Sequence, residues 1–198
     1  PYAAGGSSDF VARTVAERLG PLLGTTVLVE ARPGGNTVIG TEAVVKSAPD
    51  ASMLLLVGIQ TYAAQPHLMK SMPYDVAKDL TPINNVIISP LVLSVHPDVP
   101  AKNVAELVAH AKANPGKVNY GSAGVGNTLH LAVSQFIART GVDIVNVPYK
   151  GASQAVVDLI AGNIHMMIDL VTTPLPHIQS GRLRPLATTW EKRTSALP

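Results

Sequence analysis

Cysteine is absent from the 198 residues, which excludes a disulfide framework, a thiolate-bound zinc and a thiol nucleophile. The redox compartment stays open. Charge is scarce too: 15 Lys and Arg stand against 13 Asp and Glu, so the net +2 builds no dense cationic surface for a nucleic-acid backbone. The five tyrosines and one tryptophan are scattered and do not alternate with basic residues, as a base-stacking platform requires. Nucleic acid is therefore not an expected partner. The longest strongly apolar run, Met53 to Ile59, falls far short of the roughly 20 residues that cross a bilayer. The histidines, His67, His96, His110, His130, His165 and His177, include no i,i+4 pair and no H-E-x-x-H, so no metal site is expected. The nucleotide-cofactor signal is weak as well. Gly124-Val125-Gly126 is followed by Leu129 where a dinucleotide fingerprint needs its third glycine, and no cofactor is expected.

What is present is enough apolar residue, 46%, to build a packed core. Phe10, Val11, Val15, Leu19, Leu22 and Leu23 recur at helical spacing and predict an amphipathic helix over 9–23, with Gly20, Pro21 and Gly24 marking its end. Strands are predicted at 26–30 and 53–59, with a helix at 38–47 between them. The β-branched stretch 83–96 is read as one long strand carrying the chain between lobes. Beyond it, helices at 101–113, 127–140, 152–161 and 173–180 alternate with strands at 117–120, 142–147, 164–170 and 183–189. This alternation predicts an α/β fold with parallel-rich sheets flanked by helices.

Two places share a local pattern: a glycine–serine turn opening directly onto a helix, at Gly5-Gly6-Ser7-Ser8 and at Gly121-Ser122-Ala123-Gly124. The first N–H groups of a helix lack intrahelical acceptors, and the dipole adds partial positive charge, so such a turn favours a carboxylate or phosphate. Hydroxyls of Ser7, Ser8, Ser122 and Thr128 add donors. The plainer alternative is that these residues only cap helices and build turns. His130 lies one turn into its helix, where it can face the loop or serve as a buried hydrogen-bonding residue. Asp169 ends an apolar strand on the side where parallel sheets meet ligands, or caps the turn at Thr172-Thr173. Asp9 divides in the same way between capping and ligand contact. Tyr149-Lys150-Gly151 forms a third strand-to-helix turn, and Gln60, Thr61 and Tyr62, following the strand at 53–59, are read as lining the distal pocket. Tyr120-Gly121-Ser122-Ala123-Gly124 approaches the nucleophile elbow but has tyrosine at the first glycine, which leaves a Ser122–His130–Asp169 hydrolase as a poorer reading.

Several segments together resemble the extracytoplasmic substrate-binding proteins of tripartite tricarboxylate transporters, the Bug or TctC-like family. They are Pro1 to Asp9, Val29-Glu30-Ala31-Arg32-Pro33-Gly34, Met72-Pro73-Tyr74-Asp75, Asn119 to Gly126, His130-Leu131, Val147 to Gly151 and Pro176 to Arg184. The resemblance implies a two-lobed Venus-flytrap of the periplasmic binding type that takes a small carboxylate (dicarboxylate, amino acid or aromatic acid) in an interdomain cleft and performs no reaction. It implies a monomer in the periplasm whose partners are membrane permease components or, alternatively, a sensor protein reading ligand occupancy. It assigns residues 1–88 to lobe 1, 89–188 to lobe 2 and 189–198 to a segment returning to lobe 1. A signal peptide and first strand are expected upstream, and more of the return segment downstream. The binding set it implies is Gly6, Ser7, Ser8, Asp9, Gln60, Tyr62, Ser122, Ala123, Gly124, Thr128, His130, Tyr149 and Asp169. Asn127 and Leu170 depart from the family's usual serine and asparagine.

Overall fold

The computed structural model describes residues 1–192 and Leu197, so half of the expected return segment lies outside the described residues. The chain divides into two compact units, Pro1–Ile87 and Ile88–Pro198.

The first unit opens with helix α1 (Ser7–Leu23). Gly6, in extended backbone, is its N-cap, and Gly24 closes it in the left-handed conformation with its N–H donating to the Gly20 carbonyl. Pro21 sits in the last turn without stopping the helix, because the carbonyl that its missing N–H would have used is one bond near a helix end. A single 3-10 turn (Gly35–Thr37) leads into α2 (Val38–Val45), and the short helices α3 (Gln60–Ala63) and α4 (Gln65–Leu68) follow.

Two expectations fail here. Segments 26–30 and 54–58 form no regular element and join no ladder among the described residues, and Leu28 and Leu54 stay 85% and 49% exposed. An apolar run specifies extended backbone, whereas a strand also needs a neighbour to receive its N–H and C=O groups. The apolar stripe of α1 is covered only in part, with Val11, Val15 and Leu19 half-buried and Phe10, Leu22 and Leu23 exposed. What unit 1 buries is largely polar: Thr37, Thr41, Gln60, Thr61, Gln65 and Tyr74. The Thr37 and Thr61 hydroxyls meet at 3.0 Å, and Gln65 Nε2 donates to Thr37 Oγ1 at 2.9 Å and to the Asn36 carbonyl. These bonds hold a turn in which Gly34, Gly35, Asn36 and Thr37 all have positive φ. For a β-branched threonine that is a strained conformation, maintained only because its surroundings fix it.

Unit 2 holds one mixed sheet in the order β3-β2-β4-β1-β5. Its strands are β1 (Leu91–Val95), β2 (Asn119–Ser122), β3 (Val145–Pro148), β4 (Met166–Leu170) and β5 (Arg184–Thr188). Strand β2 runs parallel to β3 and β4, while β1 runs antiparallel to β4 and β5. The long strand expected over 83–96 is therefore only its last part. Ile83, Val86, Ile87 and Ile88 are exposed and unpaired, and pairing begins where β4 and β5 are available.

Alternation along the strands feeds two cores. Met166 and Ile168 of β4, with Leu93 and Val95 of β1 and Tyr120 of β2, pack against Leu107 and Ala111 of α5 (Val104–Ala113) and Val133 of α6 (Thr128–Thr140). Met167 packs on the other face with Ala155, Val156 and Leu159 of α7 (Ala152–Ile160), where Ile178 of α8 (Leu175–Gln179) joins. The carboxyl ends of the parallel strands β2, β3 and β4 thus share one edge, and the turn after each opens a helix.

Candidate functional site

In unit 2 the site begins at Gly121. A Cβ added there would lie 2.6 Å from Ile164 Cδ1 and 2.9 Å from Ala155 Cβ, so only glycine lets β2 pass this close to α7. The chain then turns through Gly124, whose φ of 104° a side chain would strain. Asn127 caps α6, its Oδ1 accepting the Leu129 N–H at 2.8 Å. The Gly126 N–H donates to His130 Nδ1 at 3.3 Å, leaving Nε2 to carry the ring proton, and the ring lies 6.4 Å from that of Tyr120. With those bonds made, the N–H groups of Ala123, Gly124 and Val125 have no acceptor among the described residues. These three consecutive open donors lie just ahead of the N-cap of a thirteen-residue helix, the end that favours negative charge. Beside them Ser122 Oγ is fully buried and also without a partner, a costly state for a hydroxyl.

The two neighbouring turns complete the edge. Tyr149 donates its hydroxyl to Asp158 Oδ2 at 2.6 Å, and burial together with that carboxylate pushes the phenol up to about 12. Its polar end is thereby committed to α7. Asp169 is 2% exposed, and its Oδ1 accepts the Leu170 N–H at 2.7 Å. Its carboxyl also receives the Thr173 hydroxyl, yet burial outweighs both bonds and raises it to about 7. Thr128 stands at the first turn of α6 with its own interaction made.

In unit 1, Gly6 faces open space, since a Cβ there would meet nothing within 4 Å. Ser7 is buried and engaged, and Ser8 is partly exposed. Asp9 turns back on its own loop: Oδ2 accepts the Gly5 N–H at 3.1 Å and Arg13 Nε at 3.0 Å, and Arg13 then Gly5 hold the carboxyl below its usual range. Gln60 is buried, its Nε2 donating to the Tyr2 hydroxyl, which also receives the Gly58 N–H at 3.1 Å. Tyr62, partly buried, belongs to none of these bonds.

Of the residues expected from sequence, Ser122, Ala123, Gly124, Thr128, His130, Tyr149 and Asp169 share the carboxyl edge of the unit 2 sheet. Gly6, Ser7, Ser8 and Asp9 share one loop of unit 1, and Gln60 and Tyr62 share α3. Sequence reasoning missed Tyr2, Thr37, Gln65 and Asp158. For Thr37 a signal existed in Gly34-Gly35-Asn36, a run suited to left-handed backbone. A catalytic relay is not assembled: no hydrogen bond joins Ser122 to His130 or His130 to Asp169 among the described residues. No group of three or more metal-ligating side chains is found among the described residues, and no helix of theirs is long and apolar enough to cross a membrane.

Comparison with known proteins fits this geometry. The family described as tripartite tricarboxylate transporter family receptor, TctC, matches residues 11–198. Protein BugT of Bordetella pertussis is 40% identical over 199 residues, covering all of this chain and 61% of its own length. A UPF0065 protein from the gbd 5′ region of Cupriavidus necator is 37% identical, covering all of this chain and 59% of its own. The chain therefore spans about three fifths of the curated relatives it matches. Among solved structures, R. palustris Rpa4515 with adipate superposes with a TM-score of 0.92 at 34% identity, over 98% of this chain and 64% of that one. A periplasmic transporter structure gives 0.91 at 38% identity, over 98% of this chain and 65% of that one. The chain belongs to the tripartite tricarboxylate transporter receptor family, whose members are solute-binding proteins and not enzymes.

Proposed function

We propose that this chain is the carboxylate-gripping part of a periplasmic solute receptor that delivers a small dicarboxylate, amino acid or aromatic acid to the membrane components of a tripartite tricarboxylate-type transporter. The observation that carries the reading is the turn Ala123-Gly124-Val125, three open backbone donors at the head of α6 beside the unpartnered Ser122 hydroxyl. An oxyanion is the group that satisfies such donors without a compensating cation. The adipate held by a relative 34% identical to this chain supports a carboxylate over a phosphate. The Gly5–Asp9 loop of unit 1, a glycine–serine turn that likewise opens a helix but whose Gly5 N–H is held by Asp9, is proposed as a further anion contact. Gln60 and Tyr62 are proposed for the remainder of the ligand.

The test is thermal stability against adipate, aspartate, citrate and benzoate. A ligand at about 100 times its Kd adds about 2.7 kcal/mol to the folded state. If none of the four moves the midpoint, the reading fails. Ser122→Ala gives a second, sharper expectation. It removes a buried hydroxyl that has no partner in the free protein, so the ligand-free fold gains about 1 kcal/mol. It also removes a donor from the site, so carboxylate affinity falls about fivefold to thirtyfold, a loss of about 1–2 kcal/mol. Stability and affinity moving in opposite directions would separate a binding role from a packing role.

A further inference from the structure

Asp169 stands at the carboxyl end of β4, 2% exposed, and its Oδ2 meets no donor among the described residues. Register fixes what lies beside it. Gly121 of β2 pairs with Met167, Ala123 packs against the cluster that holds Met167, and alternation puts Asp169 on that same face of β4. On the other side β1 places Val92 directly opposite and Ser94 two positions along. The buried carboxyl therefore ends a strand next to β2, on the carboxyl edge and the face where the proposed anion turn begins.

Among the described residues no ion pair offsets it. From α7 the nearest acid is Asp158, already taken by Tyr149 and Asn163. From α8 comes His177, which burial and then Arg182 hold toward its neutral form. From α6 comes His130, whose Nδ1 accepts the Gly126 N–H. Strands β1 and β2 bring no charged side chain beside it. The carboxyl is stabilised only by Leu170 and Thr173, against a larger desolvation penalty.

We propose that Asp169 couples carboxylate capture to proton uptake: an anion seated on the Ala123–Val125 turn excludes the ionised form of Asp169, so the bound state holds the neutral acid. This rests on the carboxylate reading given above. The balance is one proton taken from the buffer onto the Asp169 carboxylate, with no other bond made or broken. Free Asp169 titrates near neutrality, and a bound negative charge raises it further, which sets the window in which uptake occurs. Across that window Kd rises with pH, by at most about tenfold per pH unit, and it is flat below it.

The experiment is titration calorimetry from about pH 6 to about pH 8 in pairs of buffers with different ionisation enthalpies. Adipate is the first probe, followed by the other three acids of the panel. The expected result is uptake of up to about half a proton per ligand at about pH 7, rising toward one at about pH 8, with Kd weakening as pH rises. Asp169→Asn, which carries no proton to exchange, should abolish the uptake and flatten the pH profile, whereas His177→Gln, at a titratable group outside the binding set, should leave the uptake in place. The wild-type measurement decides even if the asparagine variant fails to fold. Binding with no proton exchange overturns this inference and leaves the carboxylate reading standing. Uptake that survives in Asp169→Asn, or disappears in His177→Gln, also overturns it. If no acid of the panel binds at any pH, the carboxylate reading falls and this inference falls with it.

Discussion

Replacing Asp169 by asparagine should stabilise the ligand-free protein at about pH 8 by up to about 4 kcal/mol and change it little at about pH 4. The sign follows from the carboxyl being raised, from an unfolded value near 4 to about 7 in the fold. Between those values the folded state binds a proton that the unfolded chain does not, so stability falls as pH rises through the window. Above it the wild-type protein carries the full cost of a buried charge supported by only two hydrogen bonds. The asparagine carbonyl keeps an acceptor for Leu170 and Thr173 and has no charge to desolvate. Urea denaturation at the two pH values, followed through the single tryptophan, Trp190 in unit 2, measures the difference. Equal gains at both pH values would mean that packing, and not ionisation, sets the energetics of this position.

The second large effect is expected at Gly121. An alanine methyl there would sit 2.6 Å from Ile164 Cδ1 and 2.9 Å from Ala155 Cβ. Both neighbours lie in the core, at 1% and 0% exposure, so neither can swing into solvent. Relief requires moving α7 away from β2, at a cost of about 1–3 kcal/mol. Because the anion turn starts at the next residue, carboxylate affinity should fall together with stability. Combining Gly121→Ala with Ala155→Gly should recover part of both. If the pair is no better than the single variant, the contact with α7 is not what excludes a side chain. Gly124→Ala makes a useful contrast, since nothing lies within 4 Å of its added Cβ and the cost there is backbone strain alone.

How much of this was legible in the sequence depended on how far apart the cooperating residues lie. Helix α6 was readable because its signals are local: Asn127 caps it, the apolar spacing of Leu129 and Val133 buries it, and Gly141 ends it. The glycine turns could be located because they sit where helices start. Strands in unit 2 were readable to within a few residues, since Val92, Val95, Met166 and Met167 are buried on both faces of a covered sheet. The same β-branched chemistry misled at 26–30, 53–59 and 83–90, where nothing local says whether a ladder partner is present. The commitments of polar side chains were out of reach for a related reason. Asp9 is tied to Arg13, Tyr149 to Asp158 and Gln60 to Tyr2, and composition cannot distinguish an occupied donor from one left open for a ligand.

The strand order of unit 2 also sets the timing of its folding. Strand β1 is made first but pairs only with β4 and β5, the last two strands to be made. Everything from residue 96 to residue 165 must be synthesised before Val95 can meet Met166, and Arg184 to Thr188 must follow before the other edge of β1 is covered. The sheet cannot therefore be nucleated from its amino-terminal strand as the chain emerges. Closing so long a loop carries an entropic cost that local pairing would avoid, and it defers the sheet's central contacts until the unit is almost complete. Both edges of β1 thus stay open until most of unit 2 has been made.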